Sequence, residues 1–409
     1  MTFFYTIALK AYYLIISIFA LFNLKAKQWI DGRKNLLNRL KDEIVPGEPV
    51  AWFHCASLGE FEQGRPVIEA YKKKYTDHKI LLTFFSPSGY EIRKNYEFAD
   101  YVYYLPIDTP RNAKQFIDIV NPRIVFFIKY EFWQCFIQEI GRREIPLYLV
   151  SGIFRKNQHF FRWYGKNARR MLNNFTHFFV QNKNSHDLLN SIELNNVSIS
   201  GDTRFDRVFA IAQKAKELPL VEKFKNNSKI IIAGSSWKPD EEIIIGFFNQ
   251  NSRYKLIIAP HEIHSDNISR IINAFTAKTN VLKYSDANET NIEKADVLII
   301  DSIGMLSSLY KYGDIAYIGG GFGKGIHNTL EAATFGLPVI FGPNYQKFQE
   351  ALDLLKQQAA FAISSATDYE DIILKLLDDY DFILQSGNRS ANYVKQHCGA
   401  TNLILDKLS

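Results

Sequence analysis

From residue 50 onward, short apolar runs alternate with amphipathic stretches. The runs are Val50–His54, Ile80–Phe84, Val102–Leu105, Ile124–Ile128, Leu147–Val150, His177–Val180 and Val197–Ile199. They are rich in Val, Ile, Phe and Tyr and too short for helices, so they predict strands. Between them lie helical patterns such as Phe61–Tyr75 and Pro110–Val120. Strands alternating with helices imply βαβ units and a parallel sheet. The pattern breaks at Lys214–Ser228, a charged, polar stretch with one proline. It resumes with Ile230–Ala233, Leu256–Ala259, Val297–Ile300, Ile315–Ile318 and Val339–Phe341. The expected fold is α/β: two doubly wound, Rossmann-like domains, 27–216 and 217–409, behind an N-terminal segment, 1–26. The 409 residues fit this, because one core rarely grows past about 300.

Residues 2–24 form an apolar run that only Lys10 interrupts, followed by Lys25, Lys27, Arg33 and Lys34. A spanning helix needs about 20 apolar residues. This run qualifies if Lys10 snorkels or faces a headgroup. No small-x-small site follows, which argues against a cleaved signal peptide. The expectation is an uncleaved hydrophobic anchor helix, spanning or monotopic, with the basic flank and the domains on the cytoplasmic side.

Composition sharpens this picture. Charged residues are 22% and hydrophobic ones 47%, which excludes disordered, collagen-like and multi-span chains. The three cysteines, Cys55, Cys135 and Cys398, are scattered, which excludes a disulfide framework or a Cys-rich zinc site. Of the net charge of +6, residues 1–220 carry +10 and the remainder −4. The basic half should meet something anionic. Its candidate cations are Arg65, Arg155, Lys156, Arg162 and Arg169, each read more readily as solvated charge than as a ligand contact.

The candidate chemistry sits where strands end. Gly319–Phe341 runs from a strand through three glycines into a helix starting near His327–Asn328. Gly320 and Gly321 would let backbone N–H groups approach a phosphate. The segment is neither a Walker A loop nor a dinucleotide fingerprint, since Lys324 stands where the last glycine is needed. Glu331, on the first turn, either accepts from ribose hydroxyls or only complements the helix dipole. Glu60 in Ala51–Glu62 follows a strand at a helix start and reads as a base or as a plain N-terminal helix acid. Glu131 follows Ile124–Ile128; it is a catalytic support or a partner of Lys129 or a nearby arginine. Ser235 and Ser236 in Ala233–Trp237 are small donors suited to phosphate or sugar oxygens. His261 in Ala259–His264 contacts a donor or makes an ordinary hydrogen bond. Its surroundings lack the H-E-x-x-H spacing of zinc proteases, and no metal or cofactor is expected.

Together these motifs resemble the 3-deoxy-D-manno-octulosonic acid (Kdo) transferases of Gram-negative bacteria. The resemblance rests on WFHCASLGE (52–60), TFFSPSGYE (83–91), YYLPIDTP (103–110), PRIVFFIKYEFW (122–133), GDTRFD (201–206), AGSSW (233–237) and GGGFGKGIHNTLEAATFGLPVIFGPN (319–344). It implies a GT-B-type, inverting, metal-independent glycosyltransferase that moves Kdo from CMP-Kdo to the tetraacyl, bisphosphorylated lipid A precursor. It also implies an anchor at the cytoplasmic face of the inner membrane and no nucleic-acid partner. On the matching positions, Glu60 would deprotonate the acceptor hydroxyl and Glu131 would be the second carboxylate. Gly320, Gly321, Asn328 and Glu331 would bind CMP. This chain departs from the pattern at Lys129, which replaces an acid, and at Arg204, where many relatives carry Lys. At Pro260–Ile263 an expected arginine is absent. Two other readings are a GT-B enzyme using a UDP- or GDP-sugar, and a non-enzymatic module for anionic lipid.

Overall fold

The computed structural model describes residues 2–408, with side chains from Tyr5 onward. The chain divides into two compact units, Met1–Arg207 with Cys398–Ser409, and Val208–His397. Each is built on one seven-stranded sheet.

In the first unit the strands are β1 (Val50–Cys55), β2 (Lys79–Phe84), β3 (Tyr101–Tyr104), β4 (Pro122–Ile128), β5 (Leu147–Gly152), β6 (His177–Val180) and β7 (Val197–Ile199). Their order is β3-β2-β1-β4-β5-β6-β7 and every pair is parallel. Alternate side chains leave opposite faces of a strand, and both faces here are buried. Trp52 and Phe127 join one core with Phe116 and Phe136, while Phe53 and Phe126 join another with Val67 and Ile68. Burial on both faces is why the strands read as unbroken apolar runs.

The second unit holds β8 (Ile230–Ser236), β9 (Lys255–Pro260), β10 (Val281–Lys283), β11 (Val297–Ile299), β12 (Ile315–Ile318), β13 (Val339–Phe341) and β14 (Ala360–Ala362). The order is β10-β11-β9-β8-β12-β13-β14, again all parallel. β10 and β14 are the edge strands. They are three residues long and only partly buried, so no apolar run announced them.

The domain boundary falls elsewhere than the sequence suggests. Lys214–Ser228 is not a linker: it contains the helix Pro219–Lys225, which buries Val221 and Phe224. The division comes after Arg207, inside the helix Thr203–Gln213. The last residues, Cys398–Ser409, belong to the first unit rather than to the second. Asp206 receives the amides of Gly399 at 2.5 Å and Thr401 at 2.7 Å, at the start of the helix Ala400–Asp406. Ile404 and Leu405 then pack into the first unit's core. Asp206→Ala should lower stability by about 1–2 kcal/mol, the usual worth of an N-terminal cap. Urea denaturation measures this directly.

Near the same edge, burial and Lys407 push the His177 imidazole down to about 4. The unfolded chain binds this proton at about 6.5. Acidification through that window therefore favours unfolding, and the loss is absent above it. The melting temperature should fall between about pH 6.5 and 4, and less so in His177→Phe.

The N-terminal helix Thr2–Phe19 is docked on the first unit. The Tyr5 hydroxyl donates to Asp108 at 2.7 Å, and Tyr12 and Tyr13 pack against Trp29. Among the described residues no helix is long and apolar enough to cross a membrane, so the expected anchor is not shown in its spanning form. Eighteen residues reach only about 27 Å, Lys10 interrupts them, and one face is spent on the domain. The basic flank is also smaller than it reads. The Arg33 guanidinium lies over the Trp29 ring and donates to the carbonyls of Trp29, Phe85 and Leu105. Lys34 pairs with Asp31.

Candidate functional site

In an open α/β sheet, ligands bind at the carboxyl ends of the strands where the strand order reverses. In the first unit this point lies between β1 and β4. Glu60 follows β1, in the first turn of the helix Leu58–Lys74. Ser57, at the cap position, turns its hydroxyl to Glu60 Oε2 instead of the helix backbone.

Glu131 follows β4. Its Oε2 accepts from Trp133 Nε1 at 2.7 Å and lies 3.4 Å from His54 Nε2. His54 is fully buried, and its Nδ1 lies 2.9 Å from Thr83 Oγ1, which also accepts from Trp52 Nε1. A polar chain therefore runs from Glu131 through His54 into the sheet. Sequence reading missed His54 and Thr83, which lie inside apolar strands, and Trp133, which stands at the start of the helix Gln134–Arg142. Cys55 reports the proximity of both acids. Burial raises its thiol pKa most, and the charges of Glu60 and Glu131 raise it further.

Lys129, in place of an acid, has φ 73°. Its ammonium lies 5.1 Å from the Tyr130 ring, over which Arg155 also sits at 6.0 Å. Tyr130 is held neutral chiefly by burial. Of the other candidate cations, Arg65 pairs with Glu69 and Arg169 donates to the carbonyls of Phe160 and Arg162. Lys156 and Arg162 are exposed. The GDTRFD segment is a brace. Asp202 holds Arg204 through two donors, and Thr203 donates to the Gln63 carbonyl at 2.5 Å, tying the segment to the Glu60 helix.

In the second unit the reversal lies between β8 and β12, where AGSSW and the glycine loop meet. Gly319 donates to the Gly234 carbonyl at 2.9 Å. Gly320 has φ 92°, and a Cβ there would lie 2.6 Å from the Gly325 carbonyl oxygen. At Gly321 a Cβ would lie 2.5 Å from the Gly342 amide. These contacts are with backbone, so no neighbouring side chain can move aside. Asn344 closes the loop by donating to the carbonyls of Gly321 and Gly323.

Three details differ from the sequence reading. The Gly320 N–H is taken by buried Asp240, which also receives the Trp237 amide and the Tyr317 hydroxyl. Ser236 is buried and donates to Glu241, which pairs with Arg270. Ser235 is left at the bend, with φ 52°. The helix after the loop spans only Leu330–Ala333, not from His327; residues 319–324 are turns and 325–328 are irregular, so its dipole is short. Asn328 Nδ2 donates to Glu331 at 3.0 Å while its Oδ1 caps Leu330. These two predicted residues are thus neighbours, beside the buried Tyr310, whose phenol is pushed up by burial and by Glu331. His261 stacks on Trp237, with centroids 4.5 Å apart, and on His327 at 4.7 Å. Asp240, Trp237 and His327 were not singled out from sequence.

Comparison with known proteins places these features. Residues 31–207 match the family model described as 3-deoxy-D-manno-octulosonic-acid transferase. A 3-deoxy-D-manno-octulosonic acid transferase of Aquifex aeolicus is 29% identical over 82% of this chain and 88% of its own. One from Haemophilus influenzae is 25% identical over 99% and 97%. Among solved structures, UDP-GlcNAc 2-epimerase from Neisseria meningitidis, bound to UDP-GlcNAc, superposes with a TM-score of 0.59 at 16% identity, covering 88% of this chain and 99% of that one. MurG of Acinetobacter baumannii gives 0.54 at 12% identity, covering 88% and 98%. At such identities the structures speak for the fold alone: two parallel-sheet α/β domains of GT-B type.

Proposed function

Starting from a chain that is a glycosyltransferase and a homologue of the Kdo transferases, we propose that it moves Kdo from CMP-Kdo to a tetraacyl disaccharide bisphosphate precursor of lipid A. The observation that carries the proposal is the placement of Glu60 at the strand-order reversal of the family-matched unit, beside Ser57. In this reading Glu60 takes the proton of the acceptor hydroxyl. The oxygen attacks the anomeric carbon from the face opposite the phosphate, the bond from that carbon to the phosphate oxygen breaks, and CMP leaves. Inversion follows from the single displacement. Glu131, oriented by Trp133 and His54, supports the charge arrangement around the acceptor. On the donor side, the glycine loop, Ser235 and the Asn328–Glu331 pair hold the nucleotide, with Glu331 accepting from ribose hydroxyls.

The acceptor is a lipid, and the first unit carries features suited to a membrane surface. Leu14, Phe19, Leu21, Phe22 and Leu24 are 61–88% exposed on and after the N-terminal helix. Trp163 is 90% exposed in a segment with Arg155, Lys156, Arg162 and Lys166. Exposed apolar side chains along one helix, and an exposed aromatic ring among cations elsewhere on the same unit, each suit the surface of an anionic membrane. We place this surface at the cytoplasmic face of the inner membrane, lying in the interface without crossing it. Leu14→Asp with Phe19→Asp should reduce flotation with anionic liposomes at least tenfold while leaving folding intact. Donor choice tests the reaction itself. Label should pass to the lipid from CMP-Kdo; label from UDP- or GDP-sugars instead would overturn the donor.

A further inference from the structure

A cavity of about 300 Å³ lies beside the N-terminal helix. It is lined by Tyr13 of that helix, by Arg33, Asn35 and Asn38, and by Ile107 and Asn112 beyond β3. We propose that this cavity seats the phosphate headgroup of an anionic bilayer lipid, with Arg33 as its counter-charge. The proposal rests on the membrane-surface reading above and on neither the sugar donor nor the acceptor.

Arg33 is a caged cation with no acid beside it. Its guanidinium lies 4.0, 5.0 and 4.8 Å from the ring centroids of Trp29, Phe85 and Tyr104. Three of its N–H groups donate to the carbonyls of Trp29, Phe85 and Leu105. A guanidinium has five N–H donors, so donors remain, and carbonyls leave the net charge uncancelled. Asp31, two residues back in the chain, pairs with Lys34. Burial draws the Arg33 pKa down to about 9, and the groups that pull it back are the phenols of Tyr104, Tyr12 and Tyr13. A charge withdrawn from water without an opposite charge is costly. The surroundings add donors rather than acceptors. The buried Trp29 Nε1 has no hydrogen-bond partner, and Asn35 makes no side-chain cap bond. A phosphate supplies the missing negative charge and only acceptor oxygens, which a guanidinium binds well.

Position points to a lipid as the source of that phosphate. Leu14 and Ile15 follow Tyr13 directly, and both are exposed, as is Ile18. A headgroup seated at Arg33 would leave its acyl chains beside this apolar helix, which itself suits the interface of a bilayer. A free phosphate gains nothing from those side chains.

Calorimetric titration of dihexanoyl phosphatidylglycerol, kept monomeric, into the full chain tests this. Asn38→Glu, Asn38→Gln and Arg33→Gln are compared with the wild type. Asn38 is exposed on the helix Leu36–Glu43, whose buried residues are Leu36 and Leu40. A glutamate there adds negative charge at the cavity without entering the core. The wild type and Asn38→Gln should bind the lipid alike, at least tenfold more tightly than Asn38→Glu or Arg33→Gln. Inorganic phosphate should bind the wild type at least tenfold more weakly than the lipid does. If Arg33→Gln fails to fold, the two Asn38 variants decide. No binding by the wild type, or equal binding by Asn38→Glu, overturns the cavity site. Inorganic phosphate binding as tightly as the lipid overturns the lipid source. The probe is neither sugar donor nor acceptor, so every result leaves the transfer reading standing. Wild-type flotation with anionic liposomes, measured alongside, separates a failed cavity from a failed membrane surface.

Discussion

Glu60→Gln is expected to lower transfer by about a thousandfold, within the usual range of about 10²–10⁴ for a general base. The amide keeps the size of the side chain and still accepts from Ser57, but it cannot take a proton. Glu60 is only partly buried and belongs to no core cluster, so the melting temperature should stay within a degree or two. Nucleotide affinity should be unchanged, because the residues assigned to the nucleotide lie on the second unit. The loss should fall on kcat rather than on KM. Ser57→Ala removes only the hydroxyl that orients the Glu60 carboxylate, and about a tenfold loss is expected. Full activity in Glu60→Gln would remove Glu60 as the base. Full activity in both variants would leave the first unit's strand-order reversal without a chemical role.

Asp240→Ala is expected to damage the second unit more than any single surface change. The carboxylate is 1% exposed and receives donors from Gly320, Trp237 and Tyr317. Its removal leaves those donors facing a cavity. An unsatisfied buried polar group costs about 1–3 kcal/mol, and partial relaxation with entry of water should hold the total near about 3 kcal/mol. Denaturation in urea should show this as a lower midpoint with an unchanged slope. Nucleotide affinity should fall at least tenfold, because Asp240 fixes both the first turn of the glycine loop and the backbone of Trp237. Asp240→Asn keeps the volume and one carbonyl acceptor, so it should fall between wild type and Asp240→Ala. An unchanged midpoint in Asp240→Ala would mean that the loop is held by the backbone contacts of Gly319 and Asn344 alone.

What the sequence could show followed from periodicity. Strands buried on both faces read as apolar runs, so twelve of the fourteen strands were legible; β10 and β14, three residues each and only partly buried, were not. The boundary was misplaced because a polar stretch with a proline looks like a linker. Only the burial of Val221 and Phe224 shows that Pro219–Lys225 is packed. The return of the C-terminal helix depends on Asp206, almost two hundred residues away in the chain, and no local pattern encodes that. The anchor reading gave the apolar run to the membrane and the basic flank to its cytoplasmic side. Arg33 and the tyrosines were in fact spent on the domain. The places of Glu60 and Glu131 could be read because each stands within five residues of a strand end, and those of Asn328 and Glu331 because they follow the glycine loop. Their partners, His54, Trp133, Asp240 and His327, act through tertiary contacts, which a linear pattern does not display.

The central claim is the reaction, and the mass of its lipid product tests it most directly. The full chain would be incubated with a tetraacyl disaccharide bisphosphate and CMP-Kdo generated in situ, and the lipid weighed by mass spectrometry. A gain of one or more Kdo units, absent in Glu60→Gln, is the predicted result, and its multiple counts the sugars added. An acceptor of unchanged mass with CMP-Kdo, alongside a gain from a UDP- or GDP-sugar, would contradict the account while leaving the two-domain fold in place.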